Sequence, residues 1–166
     1  MFVLIRALTY ATLFVALVLV FLPAQVLSWS GIRRPAGMGV SQVLGASVVV
    51  AGAALALWCV LAFALVGRGT PAPFDPPRRL VVQGPYRFVR NPMYVGAGLG
   101  LAGAALFFQS LALVGFTGLF LLATHLLVRW YEEPTLRRTF GEAYDGYCRQ
   151  VRRWRPRLSP YHEERP

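Results

Sequence analysis

Four apolar runs alternate with short polar stretches along this chain. Phe2 to Leu22 carries a single charge, Arg6, over 21 residues, and at about 1.5 Å per residue such a helix reaches about 30 Å, the thickness of a hydrocarbon core. Val40 to Val66 carries no charge and predicts a second span. Met93 to Phe108 and Leu111 to Val128 are separated only by Gln109-Ser110, so they read as a tight helical hairpin whose two ends return to one side. The pattern predicts spans over 2–22 and 40–66, a connector over 67–92, a hairpin over 93–128 and a polar tail over 129–166, all in one domain. Arg6 ahead of an apolar stretch also fits a signal peptide, but the run is long for one and Pro23-Ala24-Gln25 lacks the small-residue cleavage pattern. An uncleaved span with Arg6 reaching to the headgroups is therefore expected.

Small residues punctuate the runs. Gly45, Ala46, Gly52, Ala53 and Ala54 in the second run, and Gly96 and Gly100 in the third, suit close approach of helix backbones. The connector contains "TPAPFDPPRR", whose four prolines exclude a regular helix or an inner strand.

Composition agrees with a bilayer: 56% of residues are apolar and 14% charged, against roughly a quarter charged in soluble domains. Cys59 and Cys148 fall in different phases, so neither a disulfide nor a metal site is read from them. The net charge of +10 comes from 17 arginines and no lysine against seven acids. Five arginines lie between Arg68 and Arg90 and nine between Arg129 and Arg165. Four spans put both groups on one face, which the positive-inside rule makes cytoplasmic, leaving Arg33 and Arg34 outside. With no soluble domain to present a basic face, nucleic acid is not expected as a partner.

Two stretches carry more chemistry than connectors need. "GPYRFVRNPMY", Gly84 to Tyr94, puts two prolines, two arginines and two tyrosines beside an asparagine where the chain is about to re-enter an apolar phase. After the hairpin, Trp130 and Tyr131 are placed like interfacial aromatics, and Glu132 and Glu133 set carboxylates at the bilayer edge among basic groups. Glu133 has Arg137 four residues on as an ion-pair partner; Glu132 has none. From Thr135 to Val151, Leu136, Phe140, Tyr144, Tyr147 and Val151 share one face, which predicts an amphipathic helix lying at the interface. His125, inside the fourth run, reads as a packing residue, and His162 is assigned no role.

Gly84-Pro85-Tyr86, Arg90-Asn91-Pro92-Met93-Tyr94-Val95-Gly96, then Glu132-Glu133 with Leu136, Phe140-Gly141 and Tyr144 to Tyr147 resemble the isoprenylcysteine carboxyl methyltransferase family and, more loosely, the related phospholipid N-methyltransferases. The likeness runs from about Arg78 to Arg155. It implies that S-adenosylmethionine is held at the cytoplasmic boundary by Leu80, Val81, Tyr86, Asn91, Pro92, Met93, Tyr94 and Glu132. Where that family often has histidine, this chain has Asn91, which hydrogen-bonds but does not titrate. The family also has an arginine about one turn before the cofactor glutamate that orients an acceptor carboxylate; Arg129 is the candidate here.

The expectation is an all-α integral membrane protein of a bacterial inner membrane, both termini cytoplasmic, with four transmembrane helices and a cytoplasmic interfacial helix. It would transfer a methyl group from S-adenosylmethionine to a lipophilic acceptor at the cytoplasmic membrane face, by carboxyl O-methylation of the isoprenylcysteine type, with membrane lipids as its other partners. A carboxylate is ionised at neutral pH and needs orientation rather than a base, so no catalytic side chain and no metal are assigned. Phospholipid or amino-lipid N-methylation, a sterol-type membrane reductase using a nicotinamide cofactor, and a non-catalytic protein recruiting anionic lipid are the alternatives.

Overall fold

The computed structural model describes residues 9, 12–32, 35, 37–63, 65 and 80–161. Arg6, Arg33, Arg34, the "TPAPFDPPRR" connector and His162 lie outside the described residues. Every regular element among the described residues is helical, and three helices are long and apolar enough to cross a membrane.

Helix α1 spans Thr12–Trp29 and overruns the predicted end at Leu22. Between Val15 and Phe21 it widens into π-type turns, and the Leu22 N–H bonds back to the Leu17 carbonyl. The ladder returns to α register beside Pro23, so a residue without an N–H fits in mid-helix, which the sequence pattern alone does not reveal. The helix stops where Gly31 takes a left-handed φ of 66°.

Helices α2 (Val40–Ala62) and α3 (Pro92–Phe108) pack antiparallel, backbone against backbone. A Cβ on Gly52 would stand 2.5 Å from the Gly96 carbonyl oxygen, and one on Gly103 would stand 2.7 Å from that of Gly45. A Cβ would clash at Gly96 and Gly103 on α3; the Gly100 main chain also lies against Gly52, whose Cβ would stand 2.7 Å from the Gly100 nitrogen, while a Cβ on Gly100 itself would meet nothing within 4 Å. Gln42, buried on α2, ties the far ends together: its Oε1 accepts from the Gly39 N–H at 3.0 Å and its Nε2 donates to the Phe107 carbonyl at 3.1 Å. At 17 residues α3 is the shorter apolar helix, about 26 Å long by its rise.

The predicted hairpin is present. Gln109 ends α3 in the left-handed region at φ 50°, and Ser110 caps α4 (Leu111–Leu127) by accepting the Leu113 N–H at 3.2 Å. Ser110 is 1% exposed, so Ser110→Ala removes a cap that water cannot replace. The expected loss is about 1–2 kcal/mol of unfolding free energy, read from thermal unfolding in detergent; no change would mean the corner is held by Gln109 alone.

Two boundaries beyond the hairpin differ from the sequence pattern. The chain does not begin a new helix at Thr135: α4 continues through a π-type segment, Val128–Glu132, into α5 (Glu133–Phe140), giving one helix from Leu111 to Phe140. The predicted single helix from Thr135 to Val151 is instead two, because Gly141 at φ 52° and ψ −127° separates α5 from α6 (Glu142–Gln150), a conformation that only glycine adopts at little cost. The amphipathic face is as expected, but protein covers it: Tyr144, Tyr147, Val151 and Tyr161 form a buried cluster against Leu80, Val82, Leu136 and Phe140.

Candidate functional site

The antiparallel order of α2, α3 and α4 brings three chain segments to one end of the bundle: residues 80–94, residues 128–133 and the tail from Val151 to Tyr161. Gly84 turns the first segment at φ 57°, with Trp58 filling the space a Cβ would need, and Pro85 starts a single 3-10 turn, Gly84–Arg87. Asn91 sits outside helical torsions at φ −122° and ψ 53°, and Pro92 opens α3 where a missing N–H costs nothing. Tyr94 therefore lies in the first turn of α3 with its phenol turned toward the end of the long helix. There it donates a short hydrogen bond to Glu132. Glu132 makes no other hydrogen bond among the described residues, so one carboxylate oxygen is left to accept.

The neighbouring Glu133 does different work. Its carboxylate takes two parallel bonds from Arg153, Nε at 2.7 Å and Nη2 at 2.8 Å, and Arg90 Nη1 stands 3.2 Å from the same group. The predicted partner, Arg137, is instead 3.1 Å from Asp145. The hydrogen bond to Glu133 raises Arg153 above the ordinary arginine value. Arg90 also donates to the Cys148 sulfur at 2.7 Å. The tail runs beside the proline-bearing segment: Arg90 N–H donates to the Arg152 carbonyl (3.0 Å), Asn91 Nδ2 to that of Arg153 (3.2 Å), Arg157 N–H to that of Phe88 (2.9 Å), and Tyr161 N–H to that of Arg87 (2.9 Å). Tyr147, its phenol raised by burial, donates to the Tyr86 carbonyl at 2.6 Å. The non-helical backbone is thus buried in protein, the condition for such backbone at membrane depth.

The match that decides the family covers α2 to α5, the Gly84 to Tyr94 stretch and Glu132-Glu133: the phospholipid methyltransferase family model spans residues 40–143. The chain belongs to the phospholipid methyltransferase family. This family of membrane methyltransferases includes proteins like isoprenylcysteine carboxyl methyltransferase, and with its apolar helices the chain is an integral membrane protein. It is 29% identical over 150 residues to the nickel-cobalt-cadmium resistance protein NccN of Alcaligenes xylosoxydans xylosoxydans, covering 90% of this chain and 64% of that protein. The chain therefore spans about two thirds of the length of that relative. No solved structure matches it.

Of the residues that the resemblance nominates in this chain, Tyr94 and Glu132 touch directly. Val81 and Tyr86 are buried together with Cys59 and Ala62, and Met93 packs both there and against the Tyr94 cluster. Leu80 faces the Tyr144 cluster. Val81 is 4% exposed, yet neither its N–H nor its carbonyl has a partner among the described residues. Asn91 points its amide at the tail, and Arg129 is exposed with no ion pair to the other named residues. Sequence reasoning missed Arg90, Arg153 and Trp154. Arg90 stood inside the quoted motif without a role; for the other two the run "RQVRRWRPR" was the signal, and nothing local distinguishes its paired arginine from its solvated ones.

Proposed function

We propose that this protein is a methyltransferase that uses S-adenosylmethionine and methylates a lipophilic acceptor at the cytoplasmic face, a carboxylate of the isoprenylcysteine type. The observation that carries the reading is the Tyr94 to Glu132 hydrogen bond, which joins two motifs 38 residues apart. The chemistry of the donor set fits the cofactor. The open oxygen of Glu132 would accept from ribose hydroxyls or the amino group, and the unmet N–H and carbonyl of Val81 would meet the edge of an adenine. Tyr86, Asn91, Pro92 and Met93 would shape the wall between them, and Leu80 its rim. When bound, the cofactor supplies an electrophilic methyl group on a cationic sulfur, whose charge is lost on transfer, so an apolar site favours the reaction.

The chain's own residues supply orientation. Pro92 and Gly84 set the turn before any ligand arrives, which lowers the ordering cost of binding. Arg129, exposed at the boundary, is placed to meet an acceptor carboxylate. Four spans with the arginine-rich segments inside put this site at the cytoplasmic surface, where acceptor tails reach it from the bilayer. N-methylation of an amino lipid is the second reading, favoured by the family's description; an ammonium group, with a pKa of about 10, would first have to lose a proton.

The test is transfer of labelled methyl from S-adenosylmethionine into membrane extract by the purified protein. Label released as methanol by mild base is expected, as from a methyl ester. Label held in a base-stable amine would favour the second reading, and no transfer would refute both.

A further inference from the structure

His125 lies inside the apolar helix α4, half-buried, and the tail reaches back into that layer to meet it. Trp154 Nε1 donates to His125 Nδ1 at 3.0 Å, with the ring centroids 6.1 Å apart. The indole itself packs against the buried cluster of Tyr94, Ala97, Leu101, Phe120 and Val128. It is held there by its neighbour Arg153, which grips Glu133. The long helix is thus held at two heights by consecutive tail residues, one of them on an ionisable group where such groups are costly.

The bond fixes the chemistry of the imidazole. An indole N–H only donates, so Nδ1 must be the acceptor and the neutral ring carries its proton on Nε2. That Nε2–H has no partner among the described residues. His125 is seven positions before Glu132 on the same helix, about 10 Å by the helical rise. Its one basic nitrogen is engaged by Trp154, so the ring is built to donate rather than to remove a proton. That suits an acceptor already anionic and not an ammonium group.

Resting on the methyl-transfer reading above, we propose that His125, oriented by Trp154, is the hydrogen-bond donor that recognises the acceptor carboxylate, and so determines specificity for carboxylate over amine. One carboxylate oxygen is held by Nε2–H while the other forms the new O–C bond; the methyl–sulfur bond breaks with its electron pair going to sulfur, and no proton is released. Arg129 meets the same charge from the exposed side, and Trp154 is a positioning residue.

Farnesylthioacetate and farnesylthioethylamine share a tail and differ in headgroup. Each is titrated into the full-length protein saturated with S-adenosylhomocysteine in detergent. Wild type is expected to bind the carboxylate at least tenfold tighter. His125→Ala should lose most of that preference while keeping its affinity for S-adenosylhomocysteine, and His125→Asn, which still donates, should regain part of it. Trp154→Phe should lose less, and the 15N imidazole signals should show mixed tautomers in place of one. Should His125→Ala not fold, His125→Asn against His125→Leu reads the same difference. Full carboxylate preference without the donor overturns the inference and leaves the methyl-transfer reading standing, as does equal loss of cofactor and acceptor affinity, the mark of a structural role. Wild type that prefers the amine overturns the carboxylate reading and the inference together.

Discussion

Replacing Glu133 with alanine is expected to lower the unfolding free energy by about 3–5 kcal/mol, the cost of leaving buried charges without a partner. The side chains of Glu133, Arg90 and Arg153 are only 8%, 12% and 26% exposed, so water does not replace the lost carboxylate. Two positive guanidinium groups would then face each other beside the proline-bearing turn. The tail would lose its side-chain anchor on the long helix, keeping main-chain bonds that fray more readily. The internal control is Arg137→Ala, which removes a pair exposed to 56% and 49% and should cost less than about 1 kcal/mol. Unfolding of both variants in one detergent measures the contrast. Equal costs would mean that the Glu133 cluster is as solvated as the Arg137 pair, and that the tail is not fastened through it.

Gly52→Val has the second large effect, and it acts at the other end of the same logic. A Cβ there would stand 2.5 Å from the Gly96 carbonyl oxygen and 2.7 Å from the Gly100 nitrogen. Those are main-chain atoms of a packed helix and cannot swing aside. Helices α2 and α3 must separate, at about 3 kcal/mol, the upper end of the usual overpacking cost. Because α3 carries Asn91 to Tyr94 at its first turn, the displacement should reach the Tyr94 to Glu132 contact as well. Gly100→Val, where a Cβ meets nothing within 4 Å, is the matched control. If both valines are tolerated alike, the backbone contact between α2 and α3 is not what sets the bundle.

The sequence made the convergence legible because it follows from parity. Two apolar runs joined by Gln109-Ser110 must bring residues 93 and 128 to the same end, whatever their side chains do. The Glu132 assignment came from the resemblance; helical spacing showed only that Glu132 lacks a partner four residues on, and the structure gives it a distant one in Tyr94. What was not legible depends on register and on non-local pairing. The first span was ended at Leu22 because the widened turns that carry the helix past Pro23 leave no trace in hydropathy. The same holds for Val128–Glu132, where π-type turns carry the helix across Pro134. Glu133 had a plausible partner in Arg137 four residues away, yet Arg153, twenty away, offers a two-pronged bond. His125 read as packing because its partner, Trp154, is 29 residues distant. Helical spacing rules see the neighbours on one helix and nothing that a returning tail brings to it.

On the proposed function, Tyr94 and Glu132 form the heart of a cofactor pocket rather than a helix-end contact. Calorimetric titration of S-adenosylhomocysteine into wild type and Glu132→Gln, in one detergent preparation, tests it most directly. Wild type should bind. The variant keeps the shape of the side chain but loses the charge that strengthens a hydrogen bond, so its affinity should fall by about 1.5–3 kcal/mol with little change in thermal stability. Wild type that does not bind, or a variant that binds as well as wild type, would contradict the account.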